Sequence, residues 1–537
     1  MRILRVFDVL SEIRIGRLWL KGVLLAGGAL LLALAFLLPL VSPVVTPPKW
    51  DEYIIVYDAQ RVLDGQVPYR DFFNFIPPGT FHALRWVFEV FGGASITAAR
   101  YASLVLVLLN ASLLAAALRR AGWSLPQALL LALLYPVGLY PFWPIASHHW
   151  LVHLFCFGFL LAAAGKKPGT GLGRAVLLGL ASGFAGCILQ TEAVYLCAAG
   201  GVLLLLEDGE AHRSQRLAAF GLGLLPPIAL TLGPLALHGA GMDFVRDVVL
   251  WPARNYSRPG SDNARLLLED LPIRLESMWT SGLDPRSGLP GPFVAVSGTL
   301  FYLLLLGAAG VLLASAGLVL WKTLRHRRAP APMALAACLA TFLAFGLYLK
   351  GRPDWLRMIY LLPLLGGVWL LAAGRAGEGE AWNRRIVVGW AALALLSGAV
   401  FQGRWVWYHR VEAWELKDAD RPIRESPVNR WLRSEANLRP GDRIAAFPEG
   451  GEVYLYTFPA AVRFTFFTPL SEGYHDASDH ERAAQEMEKA DCAMVLLTQE
   501  MEKDYLDPSS AVGRLLRTRY VREGAVAGAV VYRPKRD

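Results

Sequence analysis

Charged residues are scarce in this sequence. Asp, Glu, Lys and Arg make up 18% of its 537 residues, whereas a soluble globular chain carries about 25%. Hydrophobic residues make up 55%, and they fall in blocks of about 18–25 residues, the length that a helix needs to cross a bilayer. The composition therefore excludes a soluble globular protein and predicts a membrane protein with many crossings.

Cysteines are also few, and several familiar catalytic motifs are missing. The chain holds 5 cysteines with no C-x-x-C pair, so neither a zinc site nor a disulfide framework is indicated. GxxxxGK[ST], HExxH and GxSxG do not occur, which leaves ATP use, zinc hydrolysis and serine hydrolysis without support. The net charge of +9 lies mainly in short loops between apolar blocks. There it sets membrane orientation and does not indicate nucleic acid as a partner.

Eleven apolar blocks are predicted to be membrane helices. Basic residues cluster in the connections on one side, which the positive-inside rule makes cytoplasmic together with the N-terminus. The other side receives the loops 42–95 and 239–292 and the chain after 402. We expect a bacterial inner membrane, since no eukaryotic sorting signal is present. The predicted helices cover residues 18–41, 96–118, 124–141, 149–164, 174–190, 191–206, 216–238, 293–320, 332–349, 356–374 and 385–402.

One joint decides the direction of every later helix. Residues 175–206 form an apolar stretch that only Gln190, Thr191 and Glu192 interrupt. A single helix of that length would be much longer than the bilayer is thick and would place later basic loops outside. We therefore predict two short helices that meet near Gln190.

The chain from 403 to 537 has the pattern of a small α/β domain. Short β-like runs at Arg443–Phe447, Ala493–Thr498 and Ala527–Tyr532 alternate with helical patterns. Ser478 and Glu481 have the spacing of a capping box ahead of a helix. The predicted fold is thus an α-helical polytopic membrane domain, residues 1–402, followed by a small extracytoplasmic α/β domain.

The first outside loop carries the most informative polar residues. Asp51 and Glu52 form an acidic pair shortly after the first apolar block. Transfer of a sugar to a hydroxyl needs a carboxylate that takes the acceptor's proton, and an acidic pair near the membrane surface suits that task. Asp is also a favoured N-cap, so an interfacial helix capped by Asp51 is the alternative interpretation.

The order of residues in this loop resembles the C-type membrane glycosyltransferases (GT-C), which include the protein O-mannosyltransferases and the aminoarabinose transferases that modify lipid A. In those families an acidic residue or pair follows the first membrane helix, and a tyrosine and a Pro-Pro turn come later. The resemblance covers roughly residues 1–400 and implies a GT-C-like fold. The matching residues here are Asp51-Glu52, Ala59, Gly65, Pro68-Tyr69, Pro77-Pro78-Gly79, Phe91-Gly92 and Arg100.

The chain departs from the aminoarabinose transferases at one place. Those enzymes carry a Glu-Lys pair just before the Pro-Pro turn, whereas this chain has Phe75-Ile76, preceded by Asn74. The departure concerns the sugar donor or its phosphate contact and puts that sub-family in doubt.

Two further clusters lie on the predicted outside. His148 and His149 could bind a metal, a phosphate or the acceptor, or they belong to an interfacial aromatic belt. Lys350, Arg352 and Arg357 lie in a turn where positive charge runs against the orientation rule. A phosphate would offset that cost, because Arg offers it a bidentate fork; simple headgroup contact is the alternative. The resemblance adds that such a turn meets the carrier phosphate in relatives.

The resemblance implies that a sugar passes, with inversion, from a polyprenyl-phosphate carrier to a hydroxyl of a lipid, glycan or protein acceptor. Asp51 would be the general base and Glu52 its support, and a divalent cation stays open as a cofactor. The rival hypothesis is a transporter or flippase of polyprenyl-linked substrates, and a third is a sensor. The residues predicted to contact the donor phosphate are Lys350, Arg352, Arg357, His148 and His149, and those predicted to contact substrate are Tyr69, Asn74 and Glu192.

Overall fold

A computed structural model gives the fold. It describes residues 21–165, 171–207, 212–255, 263–284, 290–326, 331–350, 358–375, 381–415, 417–447, 450–465, 475–499, 502 and 510–535.

Most of the described chain is helical. Within the described ranges, eight helices are long and apolar enough to cross a membrane, and three shorter apolar helices accompany them. The first sixteen helices in chain order are α1 (Lys21–Val41), α2 (Trp50–Leu63), α3 (Gly79–Phe91), α4 (Ile96–Arg120), α5 (Leu125–Phe142), α6 (His148–Ala163), α7 (Gly171–Ile188), α8 (Gln190–Leu206), α9 (Arg213–Leu237), α10 (Gly241–Phe244), α11 (Trp251–Asn255), α12 (Asn263–Gly282), α13 (Gly291–His326), α14 (Pro332–Lys350), α15 (Met358–Arg375) and α16 (Ala381–Tyr408). The apolar helices α1, α4–α9 and α13–α16 form a bundle.

The joint predicted near Gln190 is confirmed. α7 ends at Ile188 and α8 begins at Gln190, and Leu189 between them is extended, with φ −153° and ψ 112°. The two helices pack against each other. The chain therefore turns back at this point, as the charge pattern of the later loops requires.

The last bundle helix runs further than the sequence predicts. α16 continues to Tyr408, past the predicted boundary at 402. The polar residues Gln402 and Arg404 lower the hydropathy there, but neither breaks a helix, so the helix continues beyond the apolar block. The C-terminal domain accordingly begins after α16.

The C-terminal domain contains a four-stranded sheet, with strands β1 (Ile444–Phe447), β2 (Met494–Thr498), β3 (Tyr520–Val526) and β4 (Ala529–Pro534). Its order is β1-β2-β4-β3. β1 and β2 are parallel, with Ile444 opposite Met494, and β4 pairs antiparallel with β2 and β3. The domain's helices are α17 (Arg410–Glu415), α18 (Arg421–Arg424), α19 (Pro427–Ser434), α20 (Gly451–Tyr454), α21 (Ala477–Lys489) and α22 (Ala511–Arg519).

Two sequence predictions for this domain are wrong in detail. Strand β3 lies outside the predicted runs, and four of its seven residues are exposed. Ala527 and Gly528, predicted as strand, form the left-handed turn between β3 and β4. The cap of α21 is Asp476 and not Ser478. The Asp476 carboxylate, two residues earlier in the chain than Ser478, accepts from the backbone N–H groups of Ser478 and Asp479.

The loops and the C-terminal domain pack together at one end of the bundle. We call this region, the described parts of 42–95, 239–284 and 410–535, the loop layer. Tyr57 stacks on Tyr454 with ring centroids 5.5 Å apart, which joins α2 to the domain. The Asp420 carboxylate accepts from the backbone N–H groups of Ile96 (2.7 Å) and Thr97 (3.1 Å). The domain thereby caps the N-terminus of α4 and is tied to the bundle.

Candidate active site at the mouth of the bundle

The acidic pair lies in the first turn of α2. The helix begins at Trp50 with Lys49, which is extended, as its N-cap. Asp51 is therefore not the cap, and the capping interpretation is wrong. Both carboxylates lie at the positive end of the helix dipole. Asp51 is exposed, whereas Glu52 is fully buried.

Glu52 forms a buried two-pronged ion pair with Arg100 of α4. Arg100 Nε donates to Glu52 Oε1 at 2.9 Å and Nη2 donates to Oε2 at 2.6 Å. Arg100 Nη1 donates to the carbonyls of Val41 (3.0 Å) and Thr46 (2.8 Å). Such a pair is stable only when its hydrogen bonds are complete, and here they link α1, α2 and α4. Glu52 therefore positions the start of α2, and its support of Asp51 in the reaction stays a prediction.

Glu52 also reaches the start of α6. The backbone N–H of Ala146 donates to Glu52 Oε1 at 3.0 Å. Ser147 then caps α6, because its Oγ accepts from the N–H of His149 at 3.3 Å. The acidic pair and the histidine pair, which lie almost a hundred residues apart in sequence, are thus held together by one carboxylate.

The two histidines continue the site toward α15. The rings of His148 and His149 lie 4.1 Å apart, and His149 stacks on Tyr360 at 4.0 Å with an interplanar angle of 14°. Both histidines are partly exposed. Tyr360 lies in the first turn of α15, three residues after Arg357 in the chain. The starts of α2, α6 and α15 therefore meet at the mouth of the bundle.

The predicted phosphate turn is outside this description. Arg352 and Arg357 lie outside the described residues, and Lys350 is described only as the last residue of α14. Their role in binding the donor phosphate stays a prediction.

Tyr69 and Asn74 lie in the interior of the first loop. Tyr69 is fully buried, and its hydroxyl donates to the Ile76 carbonyl at 2.7 Å. Its backbone is left-handed, with φ 68°, a conformation that a bulky residue keeps only when its surroundings hold it. Asn74 donates to Asp58 Oδ2 at 2.7 Å and accepts from the Ile76 N–H at 2.8 Å. Both residues shape the loop, and their contact with substrate stays a prediction.

Asp58 is a second buried carboxylate of α2, two turns beyond Asp51. Burial raises the pKa of Asp58 to about 7, although Arg61, Asn74 and Thr465 each favour its charged form. No pattern in the sequence around Asp58 indicates this buried environment. Its state of ionisation therefore changes near neutral pH.

The departure from the aminoarabinose transferases has a structural counterpart. Phe75 stacks on Trp251 of α11 with ring centroids 5.2 Å apart, and Ile76 is buried. A Cβ at Gly79 would lie 2.5 Å from the Cys187 carbonyl oxygen, so the Pro-Pro-Gly turn lies directly on the end of α7. At Phe75 and Ile76 this chain therefore uses apolar packing to join its two loops.

Glu192 lies in the first turn of α8 and is buried. Thr191 Oγ1 donates to its Oε2 at 2.5 Å. Its substrate contact stays a prediction. In the part of the chain that the structure describes, no three His, Cys, Asp or Glu side chains form a set that could hold a metal ion.

Sequence reasoning passed over the two residues that assemble this site. Arg100 was noted only as part of the resemblance, although an arginine five residues into an apolar helix is costly without a partner and was a usable signal. No sequence pattern indicates a role for Tyr360, because its role in the site depends on contact with His149, which lies far away in the sequence.

Comparison with solved structures identifies the architecture. ArnT from Cupriavidus metallidurans in the apo state matches with a TM-score of 0.52 at 15% identity, over 96% of this chain and 98% of that chain. The same enzyme bound to undecaprenyl phosphate matches with a TM-score of 0.50 at 15% identity, over 95% and 97%. The chain has the GT-C fold.

The GT-C fold confirms the architecture predicted from the first loop. The Archaeoglobus fulgidus oligosaccharyltransferase in complex with an acceptor peptide, a larger GT-C protein, matches with a TM-score of 0.47 at 14% identity, over 96% of this chain and 75% of that chain. No family model and no curated protein sequence matches the chain.

Proposed function

We propose that this protein is a membrane glycosyltransferase that moves a sugar from a polyprenyl-phosphate carrier to an acceptor hydroxyl on the extracytoplasmic side. The observation that carries the proposal is the meeting of three helix starts at one mouth of a GT-C bundle: α2, whose first turn holds Asp51, α6, which begins with the histidine pair, and α15. One solved protein of this fold, ArnT, binds undecaprenyl phosphate, which supports the class of carrier.

Asp51 is the general base of the proposed reaction. Asp51 is exposed in the first turn of α2, where an acceptor from outside can reach it. Asp51 takes the proton of the acceptor hydroxyl as that oxygen attacks the anomeric carbon. The bond to the phosphate oxygen breaks on the opposite face of the sugar, so the product has inverted configuration and the carrier leaves as polyprenyl phosphate.

The leaving phosphate needs positive charge and no general acid. His148 and His149 begin α6, and the N-terminal ends of α6 and α15 both present the positive end of a helix dipole. Lys350, Arg352 and Arg357 supply the fixed charges of the same site in this proposal. A phosphate anion between these groups departs without being protonated.

The test is sugar transfer by the purified full-length protein in lipid nanodiscs. A panel of radiolabelled polyprenyl-phosphate sugars serves as donors, and a membrane lipid extract, glycans and peptides serve as acceptors. The expected result is a labelled product together with free polyprenyl phosphate. NMR of the product is expected to show that the anomeric configuration of the sugar is inverted relative to the donor.

A parallel assay addresses the rival class. Vesicles with the labelled carrier in one leaflet report movement across the bilayer without bond cleavage. Movement without transfer across the whole panel would replace the proposal with a flippase. Transfer with retained configuration would remove the single-step mechanism while leaving the enzyme class intact.

A further inference from the structure

A third histidine of α6, His153, lies deeper in the bundle and is fully buried. His149 and His153 are four residues apart, so they share one face of the helix. His149 stacks on the ring of Tyr360, and His153 Nε2 lies 2.8 Å from the backbone carbonyl of the same residue. One face of α6 therefore holds the first turn of α15 twice, through its ring and through its backbone.

The other nitrogen of His153 ends a hydrogen-bonded chain that crosses the bundle. Asn110 Nδ2 of α4 donates to the hydroxyl of Tyr135 at 3.1 Å and to the Trp150 carbonyl at 2.9 Å. The Tyr135 hydroxyl lies 2.8 Å from His153 Nδ1. Because a carbonyl only accepts, His153 Nε2 must donate to Tyr360, and Nδ1 then accepts from Tyr135. The neutral tautomer of His153 with its proton on Nε2 is compatible with all of these hydrogen bonds.

Two local features indicate that this series of hydrogen bonds has a function beyond packing. Tyr135 lies in a π-helical turn of α5, Leu134–Leu139, and such turns are frequent at functional sites. Pro363 lies inside α15 and has no N–H for the carbonyl four residues before it. That carbonyl belongs to Ile359, so the first turn of α15 has reduced support of its own, and the bond from His153 to the carbonyl of the next residue, Tyr360, ties the same turn to α6.

We propose that His153 is a positioning residue for donor binding: through Tyr135 and Asn110 it fixes the first turn of α15, and with it the surface against which the phosphate of the carrier binds. The inference rests on the proposed function, since it assigns a donor phosphate to the mouth. His153 touches no reacting atom, because it is buried and both its ring nitrogens are bonded.

The experiment compares three variants of the full-length protein by steady-state transfer and by direct binding of polyprenyl phosphate. His153→Leu keeps bulk but removes both bonds. His153→Gln keeps a donor at a similar reach for the Tyr360 carbonyl. Phe157→Leu is the matched control, because Phe157 packs on His153 and Tyr135 one turn further along α6 but lies outside the hydrogen-bonded chain described above.

His153→Leu is expected to raise KM for the donor and weaken polyprenyl phosphate binding roughly 3- to 10-fold, the effect of losing the one bond that holds the Tyr360 carbonyl, while kcat changes less. His153→Gln is expected to restore most of the affinity, and Phe157→Leu to leave KM near that of the wild type while lowering thermal stability. Unchanged KM in a folded His153→Leu protein overturns the inference, as does an equal rise in Phe157→Leu.

A second variant covers the case in which His153→Leu does not fold. Tyr135→Phe removes one hydroxyl and leaves the ring, and it is expected to shift KM in the same direction by a smaller factor.

The binding measurement separates the inference about His153 from the proposed function. Affinity for polyprenyl phosphate that depends on His153, in a protein that transfers no sugar, overturns the proposed function and supports the inference. Sugar transfer by a protein whose affinity for polyprenyl phosphate does not depend on His153 supports the proposed function and overturns the inference.

Discussion

Two buried ion pairs hold the loop layer, and their surroundings differ. We call Glu52–Arg100 the bundle junction. Both side chains are buried and paired with each other. Arg100 also donates to the carbonyls of Val41 and Thr46, and Glu52 accepts from the backbone N–H of Ala146. We call Asp247–Arg463 the domain junction; Arg463 Nη2 donates to Asp247 and, at 2.6 Å, to the Tyr69 carbonyl. Its guanidinium Nε and Nη1 are buried without a partner among the described residues.

The difference in hydrogen bonding has an energetic consequence. Burial lowers the pKa of Arg463 to about 10, against the opposing attraction of Asp247, and burial raises the pKa of Asp247. The domain junction thus carries part of the desolvation cost of its charges uncompensated. The complete pair lies beside Asp51, at the mouth of the bundle, and the incomplete pair joins α2's loop to the C-terminal domain. We infer that the bundle junction sets site geometry and the domain junction mainly holds the domain.

The largest expected effect comes from breaking the bundle junction. Arg100→Met leaves Glu52 buried without a cation, which costs about 3–5 kcal/mol of unfolding free energy, and we expect sugar transfer to be lost with it. Thermal unfolding in detergent and the transfer assay measure both effects. Arg85→Met is the control, because the Arg85–Glu89 pair is exposed and such pairs contribute about 0–1 kcal/mol. Full transfer activity in Arg100→Met would contradict the positioning role.

The second effect concerns Asp58, which lies near Thr465 of the domain. Its pKa is about 7 in the folded protein and about 4 in an unfolded chain. The folded form binds the proton more tightly, so stability is lost as the pH rises between these values, by about 3 kcal/mol from pH 5 to pH 8. Asp58→Asn has no proton to lose. Its melting temperature should gain on the wild type between pH 5 and pH 8, and parallel melting curves would refute the shift.

The domain junction is expected to give the smallest effect of the three. Asp247→Asn keeps the shape of the side chain but removes the charge, and Arg463 retains its bond to the Tyr69 carbonyl. We expect a loss of about 2 kcal/mol, the worth of a hydrogen bond to a charged group, with the transfer rate largely kept. A loss of transfer as complete as that of Arg100→Met would erase the distinction between the two junctions.

The comparison also shows what sequence can reveal. Helix number, the joint at Gln190 and the position of Asp51 followed from hydropathy, loop charge and the resemblance, because each depends on neighbouring residues. Asp51 and Glu52 looked alike, however, since the burial of one and the exposure of the other depend on Arg100 and Ala146. The burial of Tyr69 and Asn74 was not predicted for the same reason: their hydrogen-bond partners come together only in the folded loop, where no pattern in the sequence records them.

The most direct test of the account is the rate of sugar transfer by Asp51→Asn, with polyprenyl phosphate binding measured on the same protein. Asp64→Asn, at the other end of α2 and exposed, is the matched control. If Asp51 is the general base, its variant should lose about 10²–10⁴-fold in kcat while carrier binding stays near that of the wild type and Asp64→Asn stays active. Transfer by Asp51→Asn at close to the wild-type rate would contradict the account and remove Asp51 from the reaction.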